Sequence, residues 1–150
     1  MRAVNIELVS KLGARLPQGG GLLNFGATEQ DARRRLEGLR TEPARMAFLC
    51  GAAWGWRVRV GDRWIEASAG GDGLLGEIRV ARAIEAAGDG AAGITLLYRG
   101  IDLFERTMAE VEFLLGAAEG GVGADLRLIG AAGYAQSATL VDLSRPHSNG

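Results

Sequence analysis

A glycine-rich hexapeptide is the first stretch of this 150-residue chain whose spacing could bind a ligand. Residues 71–76 match G-x-G-x-x-G, the turn that cradles a dinucleotide pyrophosphate when it joins a strand to a helix. A helix over residues 74–87 would provide that context. The acidic residue expected about 20 positions later is missing, because that position falls in an apolar run. We therefore keep a small-ligand or nucleotide site in the loop Gly70–Gly76 as the alternative function, with Gly71, Asp72, Gly73 and Gly76 as its residues.

The side chains that usually carry catalysis are scarce. His147 is the only histidine and lies near the chain end, so no serine or cysteine triad can be built on an ordered scaffold. Cys50, the only cysteine, has apolar neighbours, which indicates a buried and unreactive thiol. Asp102 with Glu105 could act as an acid–base pair, but their spacing is equally typical of solvated surface. We expect no catalytic residues, no metal site and no cofactor.

The segment 56–67 predicts a β-hairpin. Alternating apolar and polar residues flank Gly61-Asp62, a pair that suits a two-residue turn. This register places Val58 opposite Ile65 and Trp56 opposite Ala67 on a core face. The other face then carries two cross-strand pairs: Arg57 with Glu66, and Arg59 with Trp64.

Three tryptophans, at positions 54, 56 and 64, lie within eleven residues. The register assigns Trp56 to the core and Trp64 to the opposite face beside Arg59. A tryptophan flanked by arginines is typical of interface hot spots. Coverage by a helix or by a partner sheet is the other interpretation of Trp64. We expect the protein-interaction site to consist of Arg57, Arg59 and Trp64.

Two segments share a helix-start pattern, F-x-x-T-x-x-[DE]-[AV]-x-x-x-L, over residues 25–36 and 104–115. The threonine caps the helix, and the acidic residue three positions later completes a capping box, better formed with Glu110 than with Asp31. The first helix is predicted over residues 29–39. The Ala or Val and the final Leu form a buried stripe.

Strand-like segments follow each helix. They are the hairpin after the first helix and residues 125–129 and 138–143 after the second. Residues 94–98 predict a buried strand ending in an Arg99-Gly100 turn. Residues 77–82 fit either a third strand or the helix over 74–87, and residues 4–8 fit either a strand or a helix.

These patterns predict an α+β fold with an antiparallel sheet and two helices packed on one face. We expect one domain over residues 1–143, built from two helix-plus-strands repeats at about 25–82 and 104–143, and a flexible tail over 144–150. The alternative is that any capped amphipathic helix gives the shared pattern.

The stretch Phe-Gly-Ala-Thr-Glu-Gln-Asp-Ala-Arg at 25–33, echoed at 104–112, resembles the helix starts of tandem-repeat α+β proteins. These are proteins of the β-lactamase-inhibitory-protein and outer-membrane-assembly-lipoprotein type. The chain also resembles small bacterial proteins of the immunity type. The resemblance implies a non-catalytic protein-binding module. Those tandem-repeat proteins are secreted or lipid-anchored, whereas this chain shows neither a signal peptide nor a lipobox cysteine.

Charge and composition restrict the classes of molecule that the protein is expected to bind. Seventeen basic and eighteen acidic residues leave a net charge of −1, so no broad field attracts nucleic acid or anionic lipid. A single cysteine excludes an intrachain disulfide and fits a reducing compartment. No apolar run reaches the roughly 18 residues needed to cross a bilayer. We expect a cytoplasmic protein that binds another protein or itself as a homodimer, and neither nucleic acid nor membrane.

Overall fold

The computed structural model describes residues 4–17, 20–39, 41–46, 51–83, 94–119, 125–131 and 133–144. Within these ranges the chain forms two helices, α1 (Glu29–Glu37) and α2 (Met108–Glu119). The strands are β1 Val4–Val9, β2 Gly13–Arg15, β3 Leu22–Asn24, β4 Ala44–Arg45, β5 Gly55–Val60, β6 Arg63–Ala69, β7 Leu75–Arg82, β8 Ile94–Tyr98, β9 Ile101–Asp102, β10 Leu126–Ala131 and β11 Tyr134–Val141.

The strands form two sheets, both mostly antiparallel. The five-stranded sheet has the order β3-β2-β1-β8-β9, and the six-stranded sheet has the order β10-β11-β7-β6-β5-β4. Together with the two helices this confirms the α+β class. The expectation of one antiparallel sheet is wrong, because β1 and β8 pair in parallel and form the second sheet with their hairpin neighbours.

Two segments that fitted either a strand or a helix are strands. Val4–Val9 is β1, and Leu75–Arg82 is β7 between β6 and β11. In β7 the buried Ile78 and Val80 alternate with the partly exposed Glu77 and Arg79, as expected for a sheet with one face toward the core. The helix over 74–87 is therefore wrong for residues 75–82, and residues 84–87 lie outside the described part of the chain.

One hydrophobic cluster includes side chains from both sheets and both helices. The four stripe positions of the shared helix pattern are all fully buried in it: Ala32, Leu36, Val111 and Leu115. Phe104 is buried as well, whereas Phe25 is only partly buried against the cluster. The periodicity of the two helices therefore identified their buried faces correctly.

Both predicted helix caps are present. The Asp31 amide donates to Thr28 Oγ1 at 3.2 Å, and the Glu110 amide donates to Thr107 Oγ1 at 3.1 Å. Glu110 Oε1 also accepts from the Thr107 amide at 3.0 Å, which closes a reciprocal capping box. The Glu110 carboxylate accepts from the Thr107 amide and, at 3.1 Å, from the Thr107 hydroxyl, and these two hydrogen bonds, the amide one first, lower the pKa of the Glu110 carboxyl from its ordinary value. The Asp31 carboxylate instead lies 3.7 Å from Arg34.

Neither described helix is long and apolar enough to cross a membrane. Some sequence predictions fall on residues outside the described ranges. They concern the Cys50 thiol, the lone His147 and positions 145–150 of the expected tail.

Candidate functional site

The β5–β6 hairpin has the register that the sequence predicts. Val58 lies opposite Ile65, Trp56 opposite Ala67, Arg57 opposite Glu66 and Arg59 opposite Trp64. The turn is Gly61-Asp62, and Gly61 has a φ of 59°, as the first central position of a type II′ turn requires. Since the turn fixes the register, it also fixes which side chains share the face away from the core.

Trp64 lies between two guanidinium groups on that face. The Arg57 Cζ is 4.3 Å from the centroid of the Trp64 ring, and the Arg59 Cζ is 5.8 Å from it. Arg57 is exposed, and Trp64 is only partly buried. The Arg59 Nε donates to the Gly61 carbonyl at 2.9 Å, which holds its side chain beside the turn. The three predicted site residues are therefore in contact with one another.

The strand pairing extends this surface across the six-stranded sheet. We call the side chains that alternate away from the core the outer face. One row of neighbours along the pairing is Arg59, Trp64, Ala81, Ser137 and Ile129, and the next is Arg57, Glu66, Arg79, Thr139 and Arg127. Arg127 and Ile129 are exposed at the far end, whereas Ala81, Ser137 and Thr139 are buried between the ends.

The outer face is basic. Within the described ranges, its charged residues are Arg57, Arg59, Arg79, Arg127, Glu66 and Glu77. Four arginines against two glutamates leave an excess of two positive charges. Arg79 and Glu66 form an ion pair at 2.9 Å, which is the expected gain from opposite charges on neighbouring strands.

Sequence reasoning missed the second half of this surface. The alternation in residues 77–82 gave a partial signal for Arg79, because a strand was one of the two structures that it fitted. Arg127 and Ile129 lie in a segment that was correctly identified as strand-like. Their position beside the hairpin follows only from the order β10-β11-β7-β6-β5, which no local pattern specifies.

The glycine-rich loop is a turn between two antiparallel strands. The Gly73 amide donates to Gly70 O at 3.1 Å, the Gly70 amide to Leu74 O at 2.7 Å and the Leu74 amide to Asp72 Oδ1 at 3.1 Å. These backbone donors are used within the loop rather than aimed at a phosphate. Gly76 already belongs to β7, so no helix begins at this loop. The loop therefore lacks the strand-to-helix context that a dinucleotide-binding fingerprint requires.

The other two tryptophans stabilise the core side. The Trp54 Nε1 donates to Gly73 O at 2.8 Å and ties the glycine-rich loop down. Trp56 lies between Arg33 and Arg45, whose Cζ atoms are 4.8 and 4.7 Å from its ring centroid, and its Nε1 donates to Glu29 at 2.9 Å. Trp56 thus joins α1 to the six-stranded sheet.

The acidic pair considered for acid–base chemistry has a local structural role. Asp102 Oδ1 accepts hydrogen bonds from the Phe104 and Glu105 amides, both at 3.1 Å. This is an Asx-type turn that leads toward α2. Among the residues that the structure describes, no group of three or more histidine, cysteine, aspartate or glutamate side chains is placed to hold a metal ion.

Two of the clefts are lined mainly by residues that do not belong to the outer face. One, of about 600 Å³, lies beside α1 and is lined by Asn24, Asp31, Arg34 and Arg35, among others. The other, of about 340 Å³, includes Ser10, Lys11, Arg99 and Asp125. Beside it the Tyr98 hydroxyl donates to Asp125 at 3.1 Å, and Ser10 Oγ donates to the same carboxylate at 2.7 Å. Both clefts are lined by basic and by acidic side chains, so neither lining favours a ligand of one charge.

Comparison with known proteins gives no relative: no family model matches the chain, and neither a curated protein nor a solved structure matches it. The contacts described above are the basis for the functional proposal.

Proposed function

We propose that this protein is a non-catalytic protein-interaction module whose contact surface is the outer face around Arg57, Arg59 and Trp64. The observation that carries the proposal is the partly exposed Trp64 ring between two guanidinium groups. Tryptophan and arginine are the residue types most enriched among interface hot spots. A large rigid ring held by its neighbours loses little conformational entropy on binding, which favours its use as an anchor.

The resemblance to tandem-repeat binding proteins leads in the same direction. We propose that residues 25–82 and 104–143 are two helix-plus-strands repeats, with both helices packed on one face of the antiparallel sheet. The chain order supports this, because α1 is followed by the antiparallel strands β5, β6 and β7, and α2 by the antiparallel strands β10 and β11. The lone cysteine fits a cytoplasmic location.

The small-ligand alternative at Gly70–Gly76 gains no support from the contacts, since the loop amides named above are bonded within the loop. A binding function for the loop would need those hydrogen bonds to open.

Peptide selection tests the proposed surface. Binders are selected from a random displayed-peptide library on the wild-type protein and then measured on Trp64→Ala and on Leu12→Ala. Leu12 is an exposed apolar residue beside the other sheet and serves as the matched control. We expect most binders to lose at least about tenfold in affinity on Trp64→Ala, as for a hot-spot residue, and to keep their affinity on Leu12→Ala.

Circular dichroism must show that both variants are folded, and light scattering on the same samples gives their masses. A dimeric wild type that becomes a folded monomer with Trp64→Ala also supports the surface, with a second copy as partner. Binders that are indifferent to Trp64→Ala, together with a mass that this substitution leaves unchanged, would contradict the proposal.

A further inference from the structure

The charges of the outer face distinguish between possible partners. Among the residues that the structure describes, the face has two more positive than negative side chains, although the whole chain has a net charge of −1. We propose that its partner is an acidic protein surface rather than a second copy of this chain. This inference rests on the proposed interaction function and adds the chemistry of the partner.

The basic groups are not all neutralised within the protein. Arg79 is paired with Glu66. Among the described residues, Arg57 contacts the Trp64 ring but forms no ion pair, and Arg127 forms none either. Both are exposed. Each therefore presents a planar fork of N–H donors that matches a carboxylate in two-point geometry.

A second copy fits this surface poorly. The common two-fold dimer places the same patch of one copy against that of the other. Face-to-face contact would bring the arginines of one copy toward those of its partner, and like charges brought together at an interface are unfavourable. The carboxylates of the described outer face offset little of this repulsion, because Glu66 is already paired with Arg79 and Glu77 alone remains against the arginines.

A nucleic acid also offers anions, but the distribution of charge favours a protein. Glu66 and Glu77 lie among the arginines on neighbouring strands. A phosphodiester chain carries negative charge at regular short intervals, so some of its phosphates would lie close to these carboxylates and be repelled. A folded protein can instead present acidic groups opposite the arginines and none opposite the glutamates. Trp64 and Ile129, which is 56% exposed, add apolar contacts that such a partner would bury.

Three short probes test this inference on the ¹⁵N-labelled full chain at low salt. They are a glutamate-rich peptide with a central leucine, the same peptide with lysine in place of every glutamate, and an oligothymidylate of equal length. Amide shifts locate the binding surface and give the dissociation constants. We expect the acidic peptide to shift amides of β5, β6, β7 and β10 and to bind more weakly as salt is added.

Charge reversal at the exposed arginines supplies the decisive variant. Arg57→Glu with Arg127→Glu should weaken binding of the acidic peptide at least about tenfold. The control is Lys11→Glu with Arg106→Glu, two exposed sites off this face that change the net charge equally. The control pair should change the dissociation constant less than about twofold, as expected for charges distant from the contact.

Several results would overturn the inference. They are tighter binding of the oligothymidylate at the same amides, shifts confined to other surfaces, no binding of the acidic peptide, or a wild-type dimer that Trp64→Ala dissociates. The proposed function fails separately. A dimer through this face, or selected peptides without acidic residues that depend on Trp64, would uphold the interaction module and remove only the acidic partner.

Discussion

Of the aromatic rings that contact two arginines, Trp64 and Phe104 lie against opposite faces of the six-stranded sheet. On the outer face, Trp64 lies between Arg57 and Arg59. On the core side, the cross-strand neighbours Arg63 and Arg82 place their Cζ atoms 4.9 and 4.8 Å from the Phe104 ring centroid. The two groupings have similar composition and very different surroundings.

Burial separates the roles of the two groupings. Arg63 is 4% exposed and donates to Ile94 O at 3.1 Å, so it links the six-stranded sheet to the first residue of β8. Arg82 donates to Phe104 O and, at 3.0 Å, to Ala135 O. Desolvation, followed by the charge of Arg63, lowers the pKa of Arg82 from its ordinary value. The inner arginines thus donate to backbone carbonyls, whereas Arg57 is exposed and contacts only the Trp64 ring among the described interactions.

Removing the inner ring should have the largest effect. We expect Phe104→Ala to lower the free energy of unfolding by about 3–5 kcal/mol, because it leaves a cavity in the core. It also removes the surface against which both guanidinium groups pack. Urea denaturation followed by circular dichroism measures the change.

The matched control for this substitution is Phe113→Ala. Phe113 is on α2 and 74% exposed, so its loss should change the free energy of unfolding by no more than about 0.5 kcal/mol. Equal effects of the two substitutions would show that the inner grouping does not stabilise the fold as the contacts indicate.

Replacing one cation on each face compares the groupings directly. Arg82→Met keeps an apolar stem but leaves two carbonyls without their donor, at an expected cost of about 2 kcal/mol. Arg57→Met loses only an exposed cation–π contact, worth about 0.5 kcal/mol. Added salt should reduce the Arg57 effect and leave the Arg82 effect nearly unchanged. If Arg57→Met destabilised the protein as much as Arg82→Met, the distinction between structural and binding arginines would be wrong.

The outer grouping was predictable from sequence and the inner one was not. Gly61-Asp62 fixes a local register, and that register alone places Arg57, Arg59 and Trp64 on one face. Arg63 adjoins the same turn and has no local feature that marks it as buried. Its buried side chain packs against Phe104, 41 positions later in the chain.

The division of the strands into two sheets could not be predicted from local sequence patterns either. The pairing of Val4 with Ile94 joins segments 90 positions apart, and the flanking strands β2, β3 and β9 have three residues or fewer. Segments this short show no periodicity. In contrast, the helix caps at Thr28 and Thr107 depend on residues within one turn and were predicted correctly. The sequence therefore predicted the local helix caps but not the long-range order of the strands.

The surroundings of Tyr98 are intermediate between those of the two groupings. Removing its hydroxyl group should destabilise the protein less than either Phe104→Ala or Arg82→Met. Its ring is fully buried, but the arginine beside it, Arg99, is exposed, with its Cζ 5.2 Å from the ring centroid. Burial is the main cause that raises the pKa of the Tyr98 hydroxyl above its ordinary value, with a further contribution from the Asp125 charge. Tyr98→Phe should cost about 1 kcal/mol, because it removes the hydrogen bond to Asp125.

The raised pKa of Tyr98 also predicts a pH dependence with a definite sign. The unfolded chain releases this proton at about pH 10, while the folded protein still retains it, so the contribution is fully present below that pH. It is lost as the pH rises from about 10 through the folded pKa, and wild type should lose stability there faster than Tyr98→Phe. Urea midpoints across the alkaline range measure this, with Tyr134→Phe, at a 44% exposed site, as control. If the stability of wild type and of Tyr98→Phe changed in parallel with pH, the buried hydroxyl would ionise as readily as a solvated one. Burial of the ring would then not be enough to change the ionisation of a group in the core.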